Sequence, residues 1–244
     1  MAPNRASAEG TPSDLVDARA LWVNPAGLAV TPEASLHLGL SGSPLGSGGR
    51  LRQATFSLDS RGVGFGYQHD VFSGSVGDTY RAAIAAGRPG LSGGLALALY
   101  RGNTKATGWD AGLVVTERPG LALAGVLANI GHPVVRGLEQ PTTLVPSATF
   151  HPIGSLLSVS GLGRLTADSA LGFAATASLV TQGRTRLGVS FRIDWDRAFR
   201  RTGFTFGLSL GGPDRVGVVA STMTGTSGLA AGDLYGVSTR SSSR

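Results

Sequence analysis

The sequence predicts an all-β fold, a transmembrane antiparallel up-and-down β-barrel of about fourteen short strands behind a short N-terminal helical or loop plug. Three observations predict it. From Ser35 onward apolar side chains recur at every second position, the period of a strand with two unlike faces. Turn formers punctuate this alternation at Ser43-Pro44, Arg88-Pro89-Gly90, Arg118-Pro119-Gly120 and Gly212-Pro213-Asp214, as hairpins require. No apolar run approaches the roughly 18 residues of a membrane helix, because the best one, 121–130, contains Gly125 and Asn129. Strands of about ten alternating residues face no such length limit.

Residues 1–34 read as a leader and plug. Their first half is polar and lacks the apolar core of a signal peptide. Strands are then expected at 36–41, 51–59, 62–70, 79–87, 93–101, 107–116, 119–129, 142–150, 154–165, 169–180, 184–194, 204–211, 214–223 and 232–239. The chain therefore divides into 1–34, a barrel over 35–239 and a polar tail at 240–244. Alternation is clearest over 184–194, where Leu187, Val189, Phe191 and Ile193 oppose Arg184, Arg186, Gly188, Ser190, Arg192 and Asp194. Val63, Phe65 and Tyr67 likewise oppose Gly62, Gly64 and Gly66.

Alternation does not say which face is wet. A soluble sandwich turns its apolar face inward and a membrane barrel turns it outward, and both write the same string. Three features favour the barrel. Tyr67, Tyr80, Tyr100, Trp109, Trp195 and Tyr235 fall near expected strand ends, as an interfacial girdle of aromatic rings would. The non-apolar face is rich in Gly, Ala and Ser, which suits a lumen. The strands are longer than the usual five or six residues of globular sheets. The competing reading is a non-catalytic envelope β domain, sandwich or barrel, that positions a downstream peptidase or secretion partner.

Composition excludes several functions. The 244 residues carry a net charge of +6, but of 21 basic residues only Lys105 is a lysine, and the arginines form no run or basic helix. With no nucleic-acid motif beside them, no nucleic-acid partner is expected. Cysteine is absent, and His37, His69, His132 and His151 fall in different hairpins without metal-ligand spacing. No metal, cofactor or catalytic residue is expected. Gly62-x-Gly64-x-Gly66 has the wrong spacing for a phosphate loop. The polar face carries Asp59, Asp70, Arg81, Asp110, Arg164, Arg184, Arg186, Arg192, Asp194 and Arg215. In a barrel these are candidate lumen charges, since arginine facing lipid costs about 2–4 kcal/mol near the midplane. They are expected to pair across strands, and an arginine surplus among them would favour anionic solutes.

The stretch Asp17-Ala18-Arg19-Ala20-Leu21-Trp22-Val23-Asn24-Pro25-Ala26-Gly27-Leu28-Ala29 resembles the signature of FadL/PorV-like outer-membrane barrels. So does the pair Trp109-Asp110-Ala111-Gly112-Leu113 and Leu121-Ala122-Leu123-Ala124-Gly125, followed by Asn129-Ile130-Gly131. In physical terms Asn24, Pro25, Ala26 and Gly27 make an elbow: proline biases Asn24 away from the helical region and Gly27 allows a tight approach. The resemblance implies a barrel in the bacterial outer membrane, contacting its lipid, with residues 14–34 packed inside. It implies passage of hydrophobic or small solutes, or a scaffold for secretion or envelope protein partners. The short, polar N-terminal segment leans towards the scaffold. The chain departs from the family in ending Ser241-Ser242-Ser243-Arg244, without a terminal aromatic. A similar β region precedes the protease part of some envelope peptidases of the signal-peptide-peptidase type, and none of that catalytic part is present here.

Overall fold

A computed structural model describes residues 10–43, 50–72, 75–102, 105–118, 120–135, 137–223 and 231–241. The nine leader residues before Gly10, the prolines expected to turn the chain at 44 and 119, and the last three tail residues lie outside this set. The first seven strands are β1 (Glu33–Gly42), β2 (Leu51–Ser60), β3 (Val63–Phe72), β4 (Ser75–Arg88), β5 (Leu91–Gly102), β6 (Ala106–Arg118) and β7 (Leu121–Ile130). Two short strands, β8 (Val134–Val135) and β9 (Leu138–Glu139), pair as a separate hairpin. The rest are β10 (Thr143–Ile153), β11 (Leu157–Leu165), β12 (Ala170–Val180), β13 (Leu187–Asp196), β14 (Arg201–Gly211), β15 (Asp214–Met223) and β16 (Ala231–Ser241).

Fourteen of these strands close into one antiparallel barrel, each beside its sequence neighbour, with β7 against β10. Closure is made by β16 on β1, in register from Glu33↔Ser241 to Gly42↔Gly232. A closed barrel leaves no unpaired edge, the condition for backbone polar groups to survive in hydrocarbon. Both ends of the barrel sequence lie at one rim, where four of the six connections are two residues long. This is the turn end. The opposite, loop end carries connections of up to twelve residues, one of them holding β8 and β9.

The wet face is settled by burial. Leu36, Leu38 and Leu40 of β1 are exposed, while Ser35, His37 and Ser41 are buried. On β2 the buried set is Gln53, Thr55, Ser57 and Asp59. Greasy residues thus face out and polar ones in, the reverse of a sandwich. Strand β4 gives the height of the belt. Its outward residues run Asp78, Tyr80, Ala82, Ile84, Ala86, Arg88, so two charges stand ten residue steps apart. At ~3.4 Å per residue and a tilt of ~40°, that spans about 25 Å, the hydrocarbon thickness such barrels cover. Ile84, 65% exposed, lies near the middle. Ile84→Arg is expected to destabilise the barrel by about 2–4 kcal/mol in lipid vesicles, read as a shifted denaturant midpoint. A change near zero would place Ile84 outside hydrocarbon.

The expected aromatic girdle needs correction. Tyr67, Tyr80, Trp109 and Trp195 occupy the outer face in the half nearer the loop end, with the Tyr67 and Tyr80 rings 5.2 Å apart. Tyr100 and Tyr235 point inward instead. The Tyr100 ring stands over Gly108 beside Pro133, and Tyr235 is buried under the Arg19 guanidinium. An aromatic at a strand end satisfies the girdle pattern on either face, so only parity separates them.

Candidate functional site

The hydrophobic core sits inside the barrel, between the N-terminal segment and one wall. Residues 10–32 run through the lumen as a one-turn helix α1 (Ala20–Val23), a 3₁₀ turn (Pro25–Ala29) and the chain leading to them. Leu15, Ala20, Leu21 and Leu28 pack on Ala83 of β4 and Ala96 of β5. Asn24 organises the elbow. Its carboxamide oxygen accepts from the Ala26 N–H at 3.1 Å, and its amide donates to the carbonyls of Pro12 at 3.0 Å and Leu113 at 3.4 Å.

The wall is shaped to receive this segment. A Cβ at Gly94 would lie 2.6 Å from the carbonyl carbon of Pro25 and 2.7 Å from the Ala26 nitrogen. At Gly112 it would meet the Asn24 carboxamide, and at Gly66 it would come within 2.8 Å of the Trp22 ring. Gly66, Gly94 and Gly112 are therefore the imprint of the plug.

The charges form small closed groups. Asp17 accepts from the Nε and Nη2 of Arg19, at 2.9 and 2.8 Å, and from Arg215 of β15. Burial works against its charge, but the two guanidinium groups outweigh burial and hold its carboxyl below the ordinary carboxylate range. Arg81 of β4 pairs with Asp110 of β6 and lies over the Trp22 ring. Arg164 of β11 and Arg192 of β13 both donate to Asp194 at 2.9 Å. The Arg81 and Arg164 pairs each skip a strand. Between Arg81 and Asp110 lie Ala96 and Ala98 of β5, and between Arg164 and Asp194 lie Gly172 and Ala174 of β12. A larger residue there would separate the partners.

Asp59 accepts from Ser35, whose oxygen in turn takes the Ala18 N–H at 2.6 Å, tying strand β1 to the plug. Asp70 accepts from Gln53 and Gln68 at 2.7 and 2.9 Å. Arg184 and Arg186, expected on the inner face of a strand, lie instead in the exposed connection 181–186 at the turn end. The groups described so far balance in sign, so these lumen residues show no arginine surplus. Exposed arginines stand at the rims, Arg61, Arg88 and Arg184 at the turn end and Arg101 and Arg200 at the loop end. The histidines are scattered: His37 bonds to Ser57, His69 to Asp78, His132 pairs with Glu139 and His151 with Asp14.

Sequence reasoning missed the residues that fasten the leading part of the plug. Ser13 bonds to Thr149 at 2.7 Å, Thr149 to Ser160 at 2.8 Å, and the Nη1 of Arg192 donates to the Gly10 carbonyl at 3.2 Å. Isolated hydroxyls in strands carry no local signal of such contacts.

No family model matches the sequence, and neither does any curated protein. Among solved structures, the chain is similar to a FadL homologue of Pseudomonas aeruginosa, with a TM-score of 0.56 and 10% identity over 97% of this chain and 96% of that one. It is also similar to the toluene transporter TodX of Pseudomonas putida, with a TM-score of 0.51 and 12% identity over 93% and 95%. The outer membrane protein Omp33 of Acinetobacter baumannii gives a TM-score of 0.51 and 9% identity over 88% and 100%. At such identities the shared property is the fold, a transmembrane β-barrel of the outer-membrane type.

Proposed function

We propose that this chain is a plugged channel of the bacterial outer membrane through which small solutes pass, with residues 10–32 as the plug. The observation that carries the reading is the fit of a separate N-terminal segment inside a closed barrel. The segment is docked on a wall of glycine and alanine and fastened elsewhere by a few polar contacts. A scaffold needs no such cavity-filling element. The NPAGLA stretch, similar to that of FadL/PorV-like barrels, fits a channel and a scaffold alike, so the fit of the plug carries the choice. By the rule for such barrels the short-turn end faces the periplasm and the loop end faces outward.

Absence of cysteine gives a clean test. Ser13→Cys with Thr149→Cys puts two thiols where oxygens stand 2.7 Å apart, so that a small approach to the ~2.05 Å of an S–S bond closes a disulfide. In planar bilayers the oxidised double variant is expected to lose channel openings and regain them on reduction. Openings unaffected by oxidation would show that the plug does not gate. Silence of the wild-type protein as well would reject passage of solutes and leave the scaffold.

A further inference from the structure

The lumen has two unlike walls: the plug docks its apolar side on one and touches the other only through a few polar contacts. Strands β3 to β6 offer Gly64, Gly66, Gly94 and Ala96 to the apolar side of the plug. Strands β11 to β15 offer hydroxyls. Register sets Ser158, Ser178 and Ser190 side by side, continuing to Gly207. One step further into the barrel comes the row Ser160, Thr176, Arg192 and Thr205. The hydroxyl oxygen of Ser190 occupies the space a Cβ on Gly207 would need, and that of Ser209 the space beside Gly188. Glycine thus lets serine lie flat on the wall and leaves the volume in front of it open.

That volume is a cavity of about 260 Å³ between the hydroxyl wall and Gly10, Asp14 and Leu15 of the plug, lined also by His151, Val180 and Tyr235. It shares Asp14, Arg19 and Arg215 with a larger vestibule of about 700 Å³ at the turn end. At ~30 Å³ per water the smaller cavity has room for about nine waters, or a small polyol. Gly10, which lines the cavity, accepts at its carbonyl from Arg192 of β13, while two other nitrogens of Arg192 are held by Asp194.

We infer that solutes travel along this hydroxyl wall, that the passage selects small uncharged hydrophilic molecules such as polyols and sugars, and that Arg192 closes it by tethering residues 10–13. The inference rests on the channel reading above and names its substrate class. Serine and threonine hydroxyls both donate and accept, so they replace the water around a polyol, whereas an apolar solute would leave them unsatisfied. The ionic groups at the entrance are Asp14 with His151, Asp17 with Arg19 and Arg215, Asp214 with Arg240, and Glu33 and Arg186 of opposite sign. Balanced in this way they impose no strong preference for either sign of charge. The α1 and 3₁₀ parts of the plug stay docked on the glycine wall, and only its leading residues need move.

The test is swelling of phosphatidylcholine vesicles holding the purified full chain, in isotonic glycerol, arabinose and glucose, beside uptake of labelled toluene and salt conductance in bilayers. Wild-type vesicles are expected to swell, fastest in glycerol. Arg192→Ala is expected to raise the rates several-fold. Ser178→Leu with Ser190→Leu fills the cavity from the wall opposite the docked plug and is expected to abolish swelling. A chain that conducts salt or admits toluene yet gives no swelling in any polyol overturns the hydroxyl passage while leaving the channel. Swelling untouched by the two leucines also overturns it. A chain silent in all three measurements fails as a channel.

Discussion

Gly94→Leu is expected to expel the Asn24-Pro25-Ala26-Gly27 elbow and convert the protein into an open pore. The conflict is with backbone: a Cβ at Gly94 falls 2.6 Å from the Pro25 carbonyl carbon and 2.7 Å from its oxygen, and neither can swing aside. Overpacking of this kind costs about 1–3 kcal/mol, more where the neighbour is rigid. The barrel itself is held by closed ladders on both sides of β5, which the substitution leaves alone. Bilayer conductance should therefore rise several-fold, and the N-terminal segment should become open to protease. Gly93→Leu is the control one residue away. Gly93 faces lipid, where the nearest atom to an added Cβ is the Gly112 oxygen at an ordinary 3.8 Å. If Gly94→Leu conducts like wild type with a protected N-terminus, the elbow is not seated as described.

Asp17→Ala is expected to cost the largest share of stability, about 3–5 kcal/mol, the range for removing one partner of a buried ion pair. The carboxylate takes the side-chain nitrogens of Arg19 and Arg215 and also the Arg19 backbone N–H at 3.0 Å, so its loss removes a buried anionic partner from two guanidinium groups at once. Unfolding in detergent would read it as a lowered midpoint, with Asp17→Asn falling in the same direction because it keeps shape but not charge. The pH dependence has a definite sign. The folded carboxyl lies below its ordinary value of 3.8, so its contribution is complete above that value and fades as pH falls through the depressed one. The plug should stay docked at pH 5 and loosen only at strongly acid pH, and the alanine variant should lack that acid step. Equal acid sensitivity in both proteins would assign the plug's attachment to other groups.

The alternation over 187–194 was legible because lipid and lumen impose opposite demands on successive residues. It misled over 184–186, where Arg184 and Arg186 continue the pattern through a connection in which no ladder gives it meaning. Tyr235 and Val237 show a second limit. Both are apolar and inward on β16, because a lumen filled by a plug accepts apolar side chains that an empty one would not. The same holds for Ala83 and Ala96, which blur the alternation of β4 and β5.

Local chemistry, read from the sequence, determined the strands and their hairpin order, since each depends on residues within one or two turns of chain. Only closure decided which face is wet, because the same alternation serves a sandwich and a barrel. Only closure also chose the partners: Asp17 meets Arg215, and Gly10 meets Arg192, across separations of 198 and 182 residues. Such pairs are fixed by where the ring of strands brings the chain back upon itself, and no spacing along the sequence encodes that distance.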